Sequence, residues 1–317
     1  MKITEISYME NLSNGILSIT VSGHGAELCS IRKDGVEYLW QADPEYWKRH
    51  SPVLFPIVGS LWNGVYRYGG KEYAMSQHGF ARDMDFSLAC KTGDEIWYRL
   101  EADDATLAKY PFRFVLEIGY RLEDNKVHVL WRVRNADSKT MYYQIGAHPA
   151  FYYPDFDPET EHRGYFSFGK SARDADGKAG AGETAGAMEP VRDLEYILIR
   201  EKGCADTQTV YRRHLEDGTL PIETHTFDKD ALIIENGQVN RVTLHTPSGK
   251  PWLSLTFDAP EAGLWSPPFK NAPFVCIEPW YGRCDRADFS GDISERDRIQ
   301  SLEAGETAEM RYAIEIL

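Results

Sequence analysis

The stretch FRFVLEIGYRLEDNKVHVLWRVR, residues 112–134, decides the fold class. Its apolar positions fall on every second residue, Phe112, Phe114, Leu116, Ile118, Tyr120 and Leu122, with Arg113, Glu117, Arg121 and Glu123 among those between. Successive side chains of a strand point to opposite faces, so this alternation predicts a strand with one dry and one wet face. Asp124-Asn125 turns the chain, and Val127, Val129, Trp131 and Val133 then alternate with His128, Arg132 and Arg134. The two runs predict a long β-hairpin. A second hairpin is marked by Gly69-Gly70 between GVYRY and KEYAM, because paired glycines supply the positive φ of a tight turn. The chain closes on a further strand with Ala308, Met310, Tyr312, Ile314 and Ile316 on one face. Helical spacing is scarce: DDATLAKY (103–110) and DPEYWKRH (43–50) each predict about two turns. The expected class is all-β, a large antiparallel β-sandwich with few short helices.

With 317 residues the chain is long enough for a sizeable core, and no fixed-period repeat divides it. Sheet-like patterning resumes beyond the Gly/Ala-rich stretch 174–187, read as a surface loop, so a single domain over 1–317 is expected. The formal charge of −14, from 49 acidic against 35 basic residues, excludes a phosphate backbone and an anionic membrane as natural partners. Neither a signal peptide nor an apolar run of about 18 residues is present, so a cytoplasmic location is expected. Cys29, Cys90, Cys204, Cys276 and Cys284 are odd in number and widely spaced, which reads as reduced thiols.

The stretch FVCIEPWYGRCD, 274–285, carries the first chemical signal. Phe274, Cys276 and Glu278 share one face of a strand, Val275 and Ile277 the other, and both faces read as buried. A carboxylate at the end of such a strand loses hydration unless something compensates it. Two histidines have comparable settings. His78 precedes Gly79 in SQHGFARDMDF, and His148 precedes Pro149 in IGAHPAFYYP, as Glu278 precedes Pro279. A residue before proline is held in extended geometry, which suits a site that must fix two titratable groups close together. His128, His162, His214, His225 and His245 read as surface or satisfied core residues; His24 and His50 are left open. Trp280, Tyr281, Phe80, Phe151, Tyr152 and Tyr153 follow the three candidate positions, and a flat ring beside polar groups suits the C–H face of a sugar. The spacing holds no close pair of metal ligands, no phosphate-binding glycine loop and no nucleophile elbow, so neither a metal nor a cofactor is expected.

In order along the chain, SPVLFPIVG, QHGFARDMDF, GAHPAF, DALI and CIEPWYG resemble the aldose 1-epimerase (mutarotase) family, and most closely its LacX-like branch. The resemblance spans essentially the whole chain. It implies the galactose mutarotase-like supersandwich with a cleft on one face. It also implies that His148 protonates the sugar ring oxygen, that Glu278 takes the proton of the C1 hydroxyl, and that His78 binds substrate. Asp230 is similar to an aspartate that binds sugar hydroxyls, with Asp228 two residues away as the other candidate. Trp280 belongs to the same motif. One position departs: the family's arginine after the Phe-Pro run falls on Ser60 in PIVGSLWNG, so that Arg49 or Arg82 substitutes from nearby or the substrate differs. The function implied is a mutarotase acting on a small sugar, an aldose, whose phosphorylation and whose enzyme's oligomeric state stay open. The alternatives are a non-catalytic carbohydrate-binding or sensor protein on the same fold and a metal-dependent β-sandwich enzyme.

Overall fold

The hairpin read from alternation is present: Phe114–Glu123 pairs antiparallel with Lys126–Asn135, Glu123 opposite Lys126. The structure, a computed structural model, describes residues 9–171 and 188–317, so the stretch 174–187 lies outside the described residues. Around the hairpin grows a 10-stranded antiparallel sheet, with the final strand Thr307–Ile316 on one side and Glu95–Glu101 on the other. An 8-stranded antiparallel sheet contains Val53–Leu54, Ile145–Ala147, Leu232–Ile234, Glu261–Trp265 and Phe274–Tyr281. The two sheets meet face to face. Val127, Val129 and Trp131 of the first share a core with Ile145, Val275 and Ile277 of the second, and Trp131 meets Tyr281 edge to face at 6.4 Å. Each such side chain withdrawn from water contributes roughly 1.5–3 kcal/mol, and the alternation that made the strands legible also aims these residues inward.

The Gly69-Gly70 hairpin forms between Val65–Tyr68 and Lys71–Ala74, and a separate 4-stranded sheet lies near the start of the chain. Of the two helices expected, one forms. Asp104–Lys109 is helical, with Asp103 and Thr106 in a reciprocal capping box. Residues 43–50 make a turn and then a bent, irregular segment, which corrects the helical expectation. The backbone groups a helix needs are taken elsewhere. Tyr46 and Trp47 close a single helical turn on the Asp43 carbonyl, but the Trp47 carbonyl then accepts from the Trp40 indole at 2.7 Å, and the amides of His50 and Ser51 donate to the Glu27 carboxylate. Tertiary partners thus outbid a short helix that nucleates poorly on its own. Among the described residues no helix is long and apolar enough to cross a membrane.

Candidate active site

The 8-stranded sheet keeps its second face for a cleft. Val275 and Ile277 point into the sandwich, while Phe274 and Cys276 belong to one cluster on the opposite face and Trp280 to another. The antiparallel register builds the site. Gly146 lies opposite Trp280 and Ala150 opposite Cys276, so His148, midway between, stands across from Glu278. On the other side Gly263 is opposite Glu278 and Trp265 opposite Cys276. Three neighbouring strands therefore present Gly146, His148 and Ala150, then Cys276, Glu278 and Trp280, then Gly263 and Trp265, on one surface. The indole of Trp280 needs both glycines. A Cβ at 146 would stand 2.7 Å from its Cδ1, and a Cβ at 263 would overlap its six-membered ring.

The cleft above this surface encloses about 280 Å³, and His148 and Glu278 lie on its wall together with His78, Arg82, Asp230 and Trp280. His148 Nε2 is 3.4 Å from Glu278 Oε2, with the carboxylate side chain only 1% exposed. The His148 ring is clamped: it stacks on Trp47 at 4.7 Å and meets Trp265 and His78 edge-on at 5.3 and 5.5 Å. His148 Nδ1, Glu278 Oε2 and Trp280 Nε1 are all buried without a hydrogen bond of good geometry, although the Trp280 N–H and the His148 backbone lie close enough to act on the two acid–base groups electrostatically. Three such polar atoms around one cavity are what a polyhydroxylated ligand would satisfy.

Burial sets the charge of the pair. It holds His148 down to about 3, with repulsion from Arg82 and then Arg49 adding to a desolvation that one backbone hydrogen bond opposes. It pushes Glu278 well above the usual carboxylate range, against the nearby Trp280 N–H and with Asp230 adding to the rise. Between those limits the pair carries one proton, and burial favours its place on Glu278. His78 is held well below the ordinary histidine range by burial first, then by His148, Arg82 and Arg49. Its Nδ1 accepts from the Gly59 amide at 3.0 Å, so its proton sits on Nε2, where it can be donated. Gly79 leaves no room for a side chain, because a Cβ there would run into the Phe55 carbonyl.

Similarity to known proteins runs along the chain. The aldose 1-epimerase family model matches residues 10–164. The galactose mutarotase related enzyme of Lactobacillus acidophilus is 31% identical, with a TM-score of 0.87 over 98% of this chain and 97% of that one. The chain belongs to the aldose 1-epimerase family. A galactose mutarotase-like protein of Lactobacillus casei is 29% identical with a TM-score of 0.84, over 98% of this chain and all of that one. The chromosomal LacX protein of Lactococcus lactis subsp. lactis is 29% identical over 96% of this chain and 98% of its own length, which sets the chain on the LacX-like branch of the aldose 1-epimerases.

Of the positions matched to the aldose 1-epimerases by motif, His148, Glu278, His78, Asp230, Arg82 and Trp280 line the cleft. Arg49 and Ser60 do not line it. Arg49 is drawn to Asp83 at 2.8 Å and reaches the two histidines only through its charge. Ser60, half-buried, sets its hydroxyl beside Gly203, which itself lines the cleft. Arg82 donates to the Gln77 carbonyl at 2.7 Å, holds its Nε 3.8 Å from Asp83 Oδ2, and is the arginine that lines the cavity. Asp230 lines the cleft and Asp228 does not. Trp47, Trp265 and Gln77 also line it and were not singled out in the sequence. Trp265 had a signal, the alternation of Gly263 and Trp265 beside a cleft strand; Trp47 had none, because its segment read as helix. Among the described residues two groups of side chains could hold a metal ion, Glu27 with Cys29 and His50, and His148 with Cys276 and Glu278, the ligand atoms of each lying within 4.8 Å of one another. In the first, the Glu27 carboxylate is already engaged by two backbone amides.

Proposed function

We propose that this chain is a sugar mutarotase, working as one domain over residues 1–317 and interconverting the α and β anomers of an aldose. The observation that carries the reading is the buried His148–Glu278 pair, 3.4 Å apart on the wall of a ring-lined cleft. Anomer exchange needs a proton removed from the C1 hydroxyl and another delivered to the ring oxygen, which breaks the C1–O5 bond and leaves an open-chain aldehyde. With His148 protonated and Glu278 ionised, Glu278 takes the O1 proton while His148 gives its own to O5. The pair ends as neutral histidine and carboxylic acid. That is the charge state burial favours in the empty cleft, so the reactive arrangement is the minor one: a proton must pass from Glu278 to His148 before the ring opens, and the step then returns the pair to its resting state. Rotation about C1–C2 and the reverse transfers close the ring on its other face and restore both groups, with no net consumption of protons.

The remaining residues position the sugar. His78 donates from Nε2 near the ring oxygen, Asp230 accepts from hydroxyls, Arg82 donates from its guanidinium, and Trp280, with its ring flat over two glycines, offers a face to the sugar C–H groups. The test is NMR exchange spectroscopy between α and β anomeric protons over a panel of aldoses. Exchange accelerated by the wild type and abolished in Glu278→Gln is expected. Saturable binding with no acceleration by the wild type would shift the reading to a carbohydrate-binding protein.

A further inference from the structure

The cleft does not end at Asp230. A second hollow of about 490 Å³ adjoins it, and the two share Ile199, Asp230 and Pro268 on their walls. The direction of entry follows from burial. His148 and Glu278 are buried, so a sugar presents its C1 end to them and its opposite side away from them, and the second hollow opens off the same cleft across Ile199, Asp230 and Pro268.

The walls of that hollow suit a neutral, hydroxylated ring. Phe269 stands on it, 79% exposed and at φ +60°, a conformation bulky residues rarely adopt. An exposed aromatic held out of the core at the edge of a cavity has a free face to offer. Tyr211, also on the wall, is fixed by stacking on Tyr196 at 5.5 Å. Arg200 and Lys229 supply donors, and Asp206 and Asp228, with Asp230 at the seam, supply acceptors. Three acidic side chains against two basic ones make a poor seat for a phosphate and a good one for hydroxyl groups, which both donate and accept.

We infer that the preferred substrate is a reducing disaccharide: its reducing unit occupies the cleft, and its second, neutral sugar unit occupies the adjoining hollow with one face on Phe269. This rests on the mutarotase reading for the reducing unit. The experiment compares glucose, maltose, lactose and glucose 6-phosphate, which share one reducing ring, in the wild type and in Phe269→Ala. Anomer exchange and saturation-transfer NMR binding are both measured. In the wild type a higher kcat/KM for a disaccharide than for glucose is expected, with glucose 6-phosphate below glucose. In Phe269→Ala the ratio of disaccharide to glucose kcat/KM should fall about two- to tenfold, the size of one lost ring-stacking contact. A wild type that exchanges neither disaccharide better than glucose, or that prefers the phosphate, overturns the inference, as does an unchanged ratio in Phe269→Ala. If no sugar is exchanged at all, the mutarotase reading falls and the binding arm decides. Tighter binding of a disaccharide than of glucose, weakened in Phe269→Ala, still supports the second seat; equal binding rejects it.

Discussion

On one face of the strand Phe274–Tyr281, Val275 and Ile277 are wholly buried and pack into the sandwich. On the other, Glu278 and Trp280 are almost as dry, yet each leaves a polar atom without a hydrogen bond of good geometry. Six consecutive residues, 275–280, thus divide two kinds of burial. The first lowers the free energy of the folded chain. The second raises it, by about 1–3 kcal/mol for each unsatisfied polar group, and leaves groups poised for a ligand that completes them. Stability and chemistry are separated by the thickness of one strand, and that separation can be tested by mutating either side.

The largest expected effect lies on the cleft face. Glu278→Gln and His148→Asn should each lower anomer exchange by about 10²- to 10⁴-fold, the usual worth of a general acid or base, while both variants stay folded. The counterpart on the sandwich face is Ile277→Ala, which should cost about 2–5 kcal/mol of stability by leaving a cavity. Exchange per folded Ile277→Ala molecule should stay near that of the wild type. Denaturant melts beside exchange rates separate the two outcomes; near-wild-type exchange in Glu278→Gln would remove the acid–base assignment.

The pH profile sharpens the same contrast. Activity requires the pair to carry one proton, so it should fall at low pH as His148, held down to about 3, takes up a second. At high pH it should fall as the raised Glu278 loses the one it holds. The acid limb therefore belongs to His148 and the alkaline limb to Glu278, and the alkaline limb should vanish from the residual activity of Glu278→Gln. Stability follows with definite signs. Because the folded pKa of Glu278 is raised, its contribution is lost as pH climbs through that pKa, and Glu278→Gln should gain relative stability in alkali. Because the folded pKa of His148 is lowered, stability drains away as pH falls from about 6.5, the unfolded value, toward about 3. Urea melts from acid to alkali check both, and a Glu278→Gln curve parallel to the wild type would contradict the raised carboxyl.

A smaller effect is expected beneath Trp280. In Gly263→Ala the new methyl overlaps the indole, which must tilt off the cleft surface. Overpacking of this kind costs about 1–3 kcal/mol. KM should rise by more than kcat falls, because the ring holds the sugar and moves no proton. Equal losses in both parameters would assign Trp280 a part in the chemical step.

What the sequence made legible was whatever local spacing encodes. Alternation in 112–134 announced a hairpin that forms, and the X-Pro settings of His148 and Glu278 marked two residues that the register sets opposite each other. What stayed hidden depended on partners distant in the chain. Trp47 reaches the His148 ring because Trp40 and Glu27 capture the backbone of 43–50, and no local pattern records that. Likewise the proton's place on the pair follows from burial on all sides, which alternation along a single strand reports only for that strand.

The smallest expected effect concerns Ser60, where motif matching anticipated an arginine. Its hydroxyl lies against Gly203, and Gly203 rather than Ser60 lines the cleft. Ser60→Ala should therefore leave KM within about twofold of the wild type, since it removes no group within reach of a ligand. Arg82, which lines the cavity, should behave differently: Arg82→Ala should raise KM about tenfold or more, in the range of a lost charged hydrogen bond. Arg49→Ala should fall between them, because Arg49 acts through Asp83 and through its field on the histidines. Ser60→Arg should not tighten binding; the longer side chain has to displace Gly203 before it reaches the cleft, and its cost should appear as lost stability. If Ser60→Ala raised KM as far as Arg82→Ala, the sugar would be contacting Ser60 beside Gly203, and the division between cleft wall and packing drawn along this edge would have to be redrawn.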